Sequence, residues 1–213
     1  MISNYQRFLS KLGISQKDPS LNALNEILQS HLAKIPFENI SKIYYYKNYG
    51  ISTIPEFELY LDGLIKNNFG GTCYSNNYYL YKLLDYLGYD VRLCGADMTN
   101  PDVHIVNIVK IKNREYLVDV GYAAPFLKPL PLDLKDNYQI VLGTNKYVLL
   151  PKNKKGFSEL QLFRDGKSKH GYIVKPYSRS ISEFESAIRN SFKETSTFFN
   201  AILLAKYEIN SSV

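Results

Sequence analysis

The apolar pattern of this chain changes at Gly88, and this change constrains the fold more than any other feature. Before Gly88, apolar residues recur every three or four positions, which is typical of amphipathic helices. After it, short β-branched runs alternate with turn residues, which is typical of antiparallel strands. Helices followed by strands, without a βαβ alternation, predict an α+β fold. We expect a helical domain over residues 1–90, a strand domain over 91–180 and a short helical segment over 181–213.

Apolar spacing and end signals predict the individual elements. In the first region they predict four helices, at residues 3–11, 19–36, 56–66 and 73–87. The tyrosine-rich stretch 42–53 has no clear period, and we expect it to be irregular. Strands are predicted at residues 91–94, 104–111, 115–120, 138–142, 146–150, 157–165 and 172–174. Helical spacing returns at residues 182–189 and 198–205.

A cysteine stands at the predicted start of the fourth helix, directly after Gly70-Gly71-Thr72. Backbone N–H groups at a helix start carry partial positive charge and favour the thiolate, which is the reactive form of a cysteine. A nucleophile of this kind needs a base and a group that orients the base. Cys73 is therefore a candidate nucleophile if the fold brings such groups to it.

A histidine and an aspartate occupy two neighbouring predicted strands. His104 opens the first of these strands, Asp119 ends the second, and a tight turn at Lys112-Asn113 joins them. Pairing about this turn sets residue 104 opposite approximately residue 121, so Asp119 lies within about two positions, roughly 7 Å away on the diagonal. The sequence thus contains a candidate Cys-His-Asp site, with His104 as base and Asp119 as its orienting carboxylate.

Other interpretations of these residues remain open from spacing alone. The cysteine is equally compatible with a small buried side chain, the histidine with a core residue and the aspartate with a turn cap. We expect His31 to lie on an exposed helix face, His170 to lie in a lysine-rich turn and Cys94 to lie in the core, all without a catalytic role. Two distant cysteines and three dispersed histidines do not match a zinc pattern, so no metal is expected.

Composition excludes several function classes. The net charge is +6 and the pI about 9.1, but the lysines are scattered and form no recognisable nucleic-acid module. No apolar run approaches the length that spans a bilayer. Two cysteines do not make a disulfide framework, and the N-terminus has no secretion pattern, so we expect a cytoplasmic protein. We expect neither a nucleic-acid nor a membrane partner, and the oligomeric state stays open.

Four short motifs occur in a fixed order along the chain. They are Ile-Pro-Phe-Glu-Asn-Ile at 35–40, Phe-Gly-Gly-Thr-Cys-Tyr-Ser at 69–75, Val-Asp-Val-Gly-Tyr at 118–122 and Pro-Leu-Pro-Leu at 129–132. Together they resemble the motifs of the arylamine N-acetyltransferases. On this resemblance the family's catalytic cysteine, histidine and aspartate fall on Cys73, His104 and Asp119, and Phe37 and Tyr122 fall on positions that line the aromatic acceptor pocket.

The resemblance implies a helical first region, an antiparallel β-barrel, a cysteine-proteinase-like core and a C-terminal lid domain that is largely missing from this chain. It also implies ping-pong chemistry. Acetyl-CoA would serve as acyl-donor substrate, the acetyl group would pass through an acetyl-cysteine, and an arylamine or arylhydrazine nitrogen would accept it. The residues that bind CoA remain unassigned.

The sequence departs from the family pattern beside the nucleophile. Phe69 and Ser75 stand where the signature has arginine and glutamate, so Glu38 lacks an expected cationic partner, and Ala123-Ala124 replaces a frequent glycine. These departures leave alternatives open. They are an amide synthase that uses another thioester, a cysteine hydrolase or transglutaminase-like enzyme, and a non-catalytic binding protein.

Overall fold

The computed structural model describes residues 3–208, in which a helical half precedes a strand-rich half. The helices of the first half are α1 (Asn4–Leu12), α2 (Leu21–Lys34), α3 (Ile40–Tyr49), α4 (Phe57–Lys66) and α5 (Cys73–Tyr86). After the strands, a 3-10 helix (Ile181–Phe184) leads into α6 (Glu185–Asn190) and α7 (Thr197–Asn200).

The ends of the first helices follow from their sequence. The Ser3 side chain accepts from the N–H of Gln6, and the Gln6 side chain accepts from the N–H of Ser3, so a capping box begins α1. Gly13 ends α1 with φ 64°, a conformation that glycine adopts at little cost. Ser20 caps α2 by accepting from the N–H of Ala23. The predicted positions of these two helices are confirmed.

One helix was missed. Residues 42–53 were expected to be irregular, but α3 covers Ile40–Tyr49. Only Ser41 and Tyr45 of this helix are buried, so it lacks the apolar stripe by which helices are recognised in sequence. The prediction was wrong because α3 is held by its contacts with its neighbours, not by a continuous apolar face.

The strand region forms one antiparallel sheet. Its strands are β2 (Asp90–Asp97), β3 (His104–Ile111), β4 (Arg114–Val118), β5 (Leu130–Pro131), β6 (Tyr138–Leu142), β7 (Asn145–Leu149), β8 (Ser158–Arg164), β9 (Lys167–Ser168) and β10 (Tyr172–Val174). The order is β5-β4-β3-β2-β10-β8-β7-β6, with β9 paired to β8. Within residues 3–208, β5 and β6 do not pair, so closure into the expected barrel is not observed.

A second, two-stranded sheet joins the segment after α2 to the C-terminal part of the described chain. β1 (Phe37–Glu38) pairs with β11 (Leu204–Ala205), and Phe37 also bridges Gly71. The helix expected at residues 198–205 is therefore confined to the single turn α7, and β11 follows it. This pairing brings the end of the described chain to the segment that precedes the nucleophile.

Strand pairing fixes the positions of two candidate catalytic residues. In the β3–β4 hairpin, Asn107 pairs with Val118 and Ile111 with Arg114. Extending this register by three residues sets His104 opposite Gly121, which is the register expected from the turn. Helix α5, which Cys73 begins, packs across β2 and β3.

Buried side chains fall into separate clusters. One joins α1, α2, α4 and α5 to the sheet, and another fills the strand half. Cys94 is buried in the second, as expected. His31 was expected to be exposed, but it is fully buried, and its ring lies 6.4 Å from that of Phe8. The proposed division into three domains stays a prediction.

Candidate active site

Cys73 begins helix α5 and is 5% exposed. The first N–H groups of a helix have no intrahelical acceptor, so the start of α5 directs partial positive charge toward the sulfur. Gly121 lies against this residue, because a Cβ added there would come within 2.5 Å of the Cys73 Cα. The Sγ atom lies 4.0 Å from the backbone carbonyl oxygen of Val103, the residue before His104.

His104 and Asp119 form a buried pair. His104 Nε2 lies 2.8 Å from Asp119 Oδ2, and both residues are 2% exposed. Burial disfavours the imidazolium, but the charge and hydrogen bond of Asp119, together with Cys73, raise the pKa of His104 to about 10. Burial also opposes ionisation of Asp119, yet its interactions with His104 and Asn77 hold the pKa of that carboxyl below its ordinary value. The pair therefore favours imidazolium and carboxylate.

Four donors hold the Asp119 carboxylate. Oδ2 accepts from the Tyr172 hydroxyl at 2.8 Å as well as facing His104. Oδ1 accepts from Asn77 Nδ2 and from the N–H of Gly121, each at 2.8 Å. Burial, and then the charge of Asp119, raises the pKa of Tyr172, so this phenol remains a donor. A carboxylate held in this way cannot rotate away from the imidazole.

The structure thus brings together the three residues that the sequence singled out. Asp119 orients the imidazole of His104, and after Asp119 the Cys73 side chain also raises the pKa of His104. This arrangement is chemically suited to a thiolate nucleophile and an imidazole that moves a proton.

Two supporting residues were missed by the sequence interpretation. Tyr172 lies in β10 and Asn77 in α5, and both are buried. Asn77 also accepts from the N–H of Val120 at 2.9 Å, so one side chain ties α5 to the segment that carries Asp119. No spacing rule connects residues so far apart along the chain, and only the folded sheet shows their role.

The Glu38 carboxylate accepts hydrogen bonds from backbone N–H groups, since Phe69 stands where the family signature has arginine. Its carboxylate accepts from the N–H of Gly70 at 2.9 Å and from the N–H of Ser41 at 2.8 Å. Phe69 packs against the rings of Tyr44 and Tyr45 in α3. The loop before Cys73 is therefore held by backbone hydrogen bonds and aromatic contacts in place of an ion pair.

The two expected substrate-binding residues lie in different places. The Tyr122 ring centroid is 5.9 Å from that of His104 and 4.9 Å from that of Tyr172. Phe37 lies beside Gly71, and its ring centroid is 6.4 Å from that of Phe198. Both are half-buried, and their role in binding an acceptor stays a prediction.

A cavity of about 20 Å³ lies next to the nucleophile. Its lining includes Thr72 and Tyr74, on either side of Cys73, together with Lys42 and Ser191. This volume holds about one water. Phe184 and Ile188, from the segment that begins the C-terminal helices, pack in the same apolar cluster as Cys73.

Within residues 3–208, His, Cys, Asp and Glu side chains form no group of three that would bind a metal ion. None of the helices in the same range combines the length and the apolar character that crossing a bilayer requires.

Comparison with known proteins agrees with this geometry. A family model described as N-acetyltransferase matches residues 20–212. The liver arylamine N-acetyltransferase of Gallus gallus is 32% identical over 151 residues, which are 64% of this chain and 51% of that protein. An N-malonyltransferase of Gibberella moniliformis is 31% identical over 160 residues, covering 63% of this chain and 45% of that protein. The chain spans about half the length of such relatives.

Solved structures share the fold. An arylamine N-acetyltransferase from Bacillus cereus, described as having a Cys-His-Glu catalytic triad, superposes with a TM-score of 0.75 at 23% identity. The superposition covers 97% of this chain and 83% of that one. The helices and the curled antiparallel sheet of this chain therefore match the fold of that solved structure. Since the family model also matches most of the chain, this protein belongs to the arylamine N-acetyltransferase family.

Proposed function

We propose that this protein transfers an acetyl group from acetyl-CoA to the nitrogen of an arylamine or arylhydrazine, through an acetyl-cysteine at Cys73. The observation that supports this most is the buried pair of His104 and Asp119, with the Cys73 sulfur 4.0 Å from the backbone oxygen of Val103, the residue before His104. Relatives named as arylamine N-acetyltransferases support the same reaction class and the same kinds of substrate.

The first half-reaction begins from the thiolate of Cys73 and the imidazolium of His104. The sulfur attacks the thioester carbonyl of acetyl-CoA, a new C–S bond forms, and the bond to the CoA sulfur breaks. His104 gives its proton to the departing CoA thiolate, which leaves as the free thiol. The N–H of Cys73, at the start of α5, is suited to stabilise the oxyanion that develops on the carbonyl oxygen.

The second half-reaction returns the enzyme to its starting state. The amine nitrogen attacks the acetyl-cysteine carbonyl and the C–S bond breaks, which releases the amide and the Cys73 thiolate. His104, now neutral, takes the proton that the nitrogen loses. Asp119 stabilises the imidazolium in both protonated stages, which is the role expected of a buried carboxylate beside a catalytic imidazole.

A steady-state assay of CoA release distinguishes this proposal from the alternatives. Release that depends on a simple arylamine, and that disappears in Cys73→Ala, is the expected result. Release at the same rate without the amine would indicate a hydrolase instead. No release from acetyl-CoA under either condition would contradict acetyl transfer and favour an amide synthase with another donor, or a binding protein.

A further inference from the structure

The nucleophile and the base are joined through their neighbours along the chain. The hydroxyl of Tyr74, the residue after Cys73, donates to the backbone oxygen of Asp102 at 2.8 Å. Asp102 stands two residues before His104, in the loop between β2 and β3. One hydrogen bond therefore ties the first turn of α5 to the loop that leads into the strand of the base.

Helix α5 holds the chain on both sides of His104. Tyr74 and Asn77 are three positions apart, so their side chains leave the same face of the helix. Asn77 Nδ2 donates to the backbone oxygen of Ile105, the residue after His104, at 2.6 Å. Tyr74 thus fixes the chain before the imidazole, and Asn77 fixes it after the imidazole.

The loop that accepts from Tyr74 is itself held by ion pairs. Lys175 Nζ lies 2.7 Å from Asp102 Oδ1 and 2.8 Å from Asp97 Oδ1. Arg179 Nη1 lies 3.4 Å from Asp102 Oδ2. Asp97 Oδ1 also accepts from the N–H of Asp102 at 2.9 Å. The backbone oxygen of Asp102 is therefore a fixed point, to which Tyr74 connects the helix that begins with the nucleophile.

The sulfur lies against the same loop. Cys73 Sγ lies 4.0 Å from the backbone oxygen of Val103, which separates Asp102 from His104. A shift of this loop would therefore move Val103 and the imidazole together relative to the sulfur. Tyr74 is buried, and burial raises the pKa of its phenol, so the hydroxyl stays protonated and remains a donor.

We propose that Tyr74 is a positioning residue for acyl transfer. Its hydroxyl holds the Asp102 loop at the distance from α5 at which His104 acts on Cys73, and it does so through the backbone and not on a reacting atom. This inference rests on the proposed acyl-cysteine chemistry and deepens it. Such positioning matters because a displacement of about 1 Å can cost on the order of 100-fold in rate.

Alkylation of Cys73 by iodoacetamide tests this role without an acyl donor. Tyr74→Phe removes only the hydroxyl. Tyr79→Phe is the matched control, because Tyr79 is buried in the same helix and its hydroxyl also donates to a backbone oxygen. That oxygen belongs to Pro55, before α4, and not to the loop before His104. Both variants lose one hydrogen bond of the same kind, so a general loss of stability, measured as Tm, affects both.

The quantity that decides is the labelling rate constant at pH 7 divided by that at pH 10. At pH 10 an ordinary cysteine thiol is mostly ionised without help, whereas at pH 7 its ionisation depends on its neighbours. We expect the ratio to fall about tenfold in Tyr74→Phe and to stay within about twofold of the parent in Tyr79→Phe. A ratio that is unchanged in Tyr74→Phe, or that falls equally in both variants, would overturn the inference.

The variant Asp102→Asn decides the question if Tyr74→Phe does not fold. Asparagine keeps the size of the side chain and tolerates the φ of 56° at this position, but it loses the charge that pairs with Lys175. Removing a negative charge near Cys73 would by itself favour the thiolate. A fall of the pH 7 to pH 10 ratio in this variant therefore reports a displaced loop and supports the inference, whereas a rise or no change would overturn it.

Steady-state acetyl transfer completes the test. Tyr74→Phe should lower kcat about tenfold and leave KM for acetyl-CoA and for an arylamine within about twofold of the parent values. Tyr74 also lines the small cavity beside the nucleophile, so a raised KM with an unchanged kcat would mean that its hydroxyl binds substrate, which would overturn the inference. Absence of acetyl transfer in the parent would contradict the proposed function, while the labelling ratio would still decide the role of Tyr74.

Discussion

The substitution Asp119→Asn tests how the thiolate is maintained. The amide retains one oxygen, which we expect to keep accepting from Asn77 and Gly121. Its NH2 group then replaces the oxygen that faces His104 and Tyr172, so the Tyr172 hydroxyl loses its acceptor and the imidazolium loses its counter-charge. We expect the fold to persist, because the side chain keeps its size and half of its hydrogen bonds.

The size of the effect follows from the His104 pKa. Without the carboxylate, burial lowers the pKa of His104 and only Cys73 opposes that lowering, so this pKa should fall from about 10 toward its ordinary value near 6.5. A fall of that size corresponds to about 5 kcal/mol of lost imidazolium stabilisation. A free thiol is only a few per cent ionised at pH 7, so the alkylation rate of Cys73 by iodoacetamide should fall by about 30-fold there.

The assay is the rate of iodoacetamide labelling of Cys73 between pH 5 and pH 10. The parent should react at a nearly constant rate through neutral pH, whereas Asp119→Asn should react faster only as the solution becomes alkaline. Asp133→Asn, which removes an exposed carboxylate paired with Arg114, serves as control and should match the parent. An Asp119→Asn profile that coincides with that of the parent would refute the imidazolium–thiolate account.

Two further predictions concern stability. Burial lowers the pKa of His31 to about 3, so as the pH falls below about 6.5 the unfolded chain binds a proton at His31 and the folded chain does not. Between pH 8 and pH 5 the unfolding free energy of the parent should therefore fall by about 2 kcal/mol more than that of His31→Leu, as measured by urea titration. Equal losses in the two proteins would contradict this. Gly121→Ala should lower Tm by several degrees, corresponding to about 1–3 kcal/mol, because its Cβ would come within 2.7 Å of Asn77 Nδ2 as well as meeting Cys73. An unchanged Tm in calorimetry would mean that this contact relaxes freely.

The hairpin shows what sequence alone can predict about the site. A tight turn fixes the register of the strands beside it, and residue 104 was correctly set opposite residue 121 from the turn at Lys112-Asn113. The helix start at Cys73 was predictable for a similar reason, because local glycines and apolar spacing determine it. Local rules therefore gave the positions of all three candidate catalytic residues.

Other features depend on contacts that no local rule describes. Tyr172 reaches Asp119 because β10 pairs with β2, a crossover in the strand order that the sequence does not encode locally. Lys42 lies in α3, which buries only Ser41 and Tyr45 and therefore shows no apolar stripe in the sequence. His31 is different, since it lies at helical spacing from the buried Ile27 and Leu28, and its burial was predictable from that spacing despite its polarity.

The central claim is that Cys73 carries the acyl group between donor and acceptor. Intact mass of the protein after mixing with acetyl-CoA measures this most directly, with peptide mapping to locate the adduct. The account predicts a single acetyl group on Cys73, present in the parent, absent in Cys73→Ala, and lost when an arylamine is added. An acetyl group on any other residue, or arylamine acetylation that proceeds in Cys73→Ala, would contradict it.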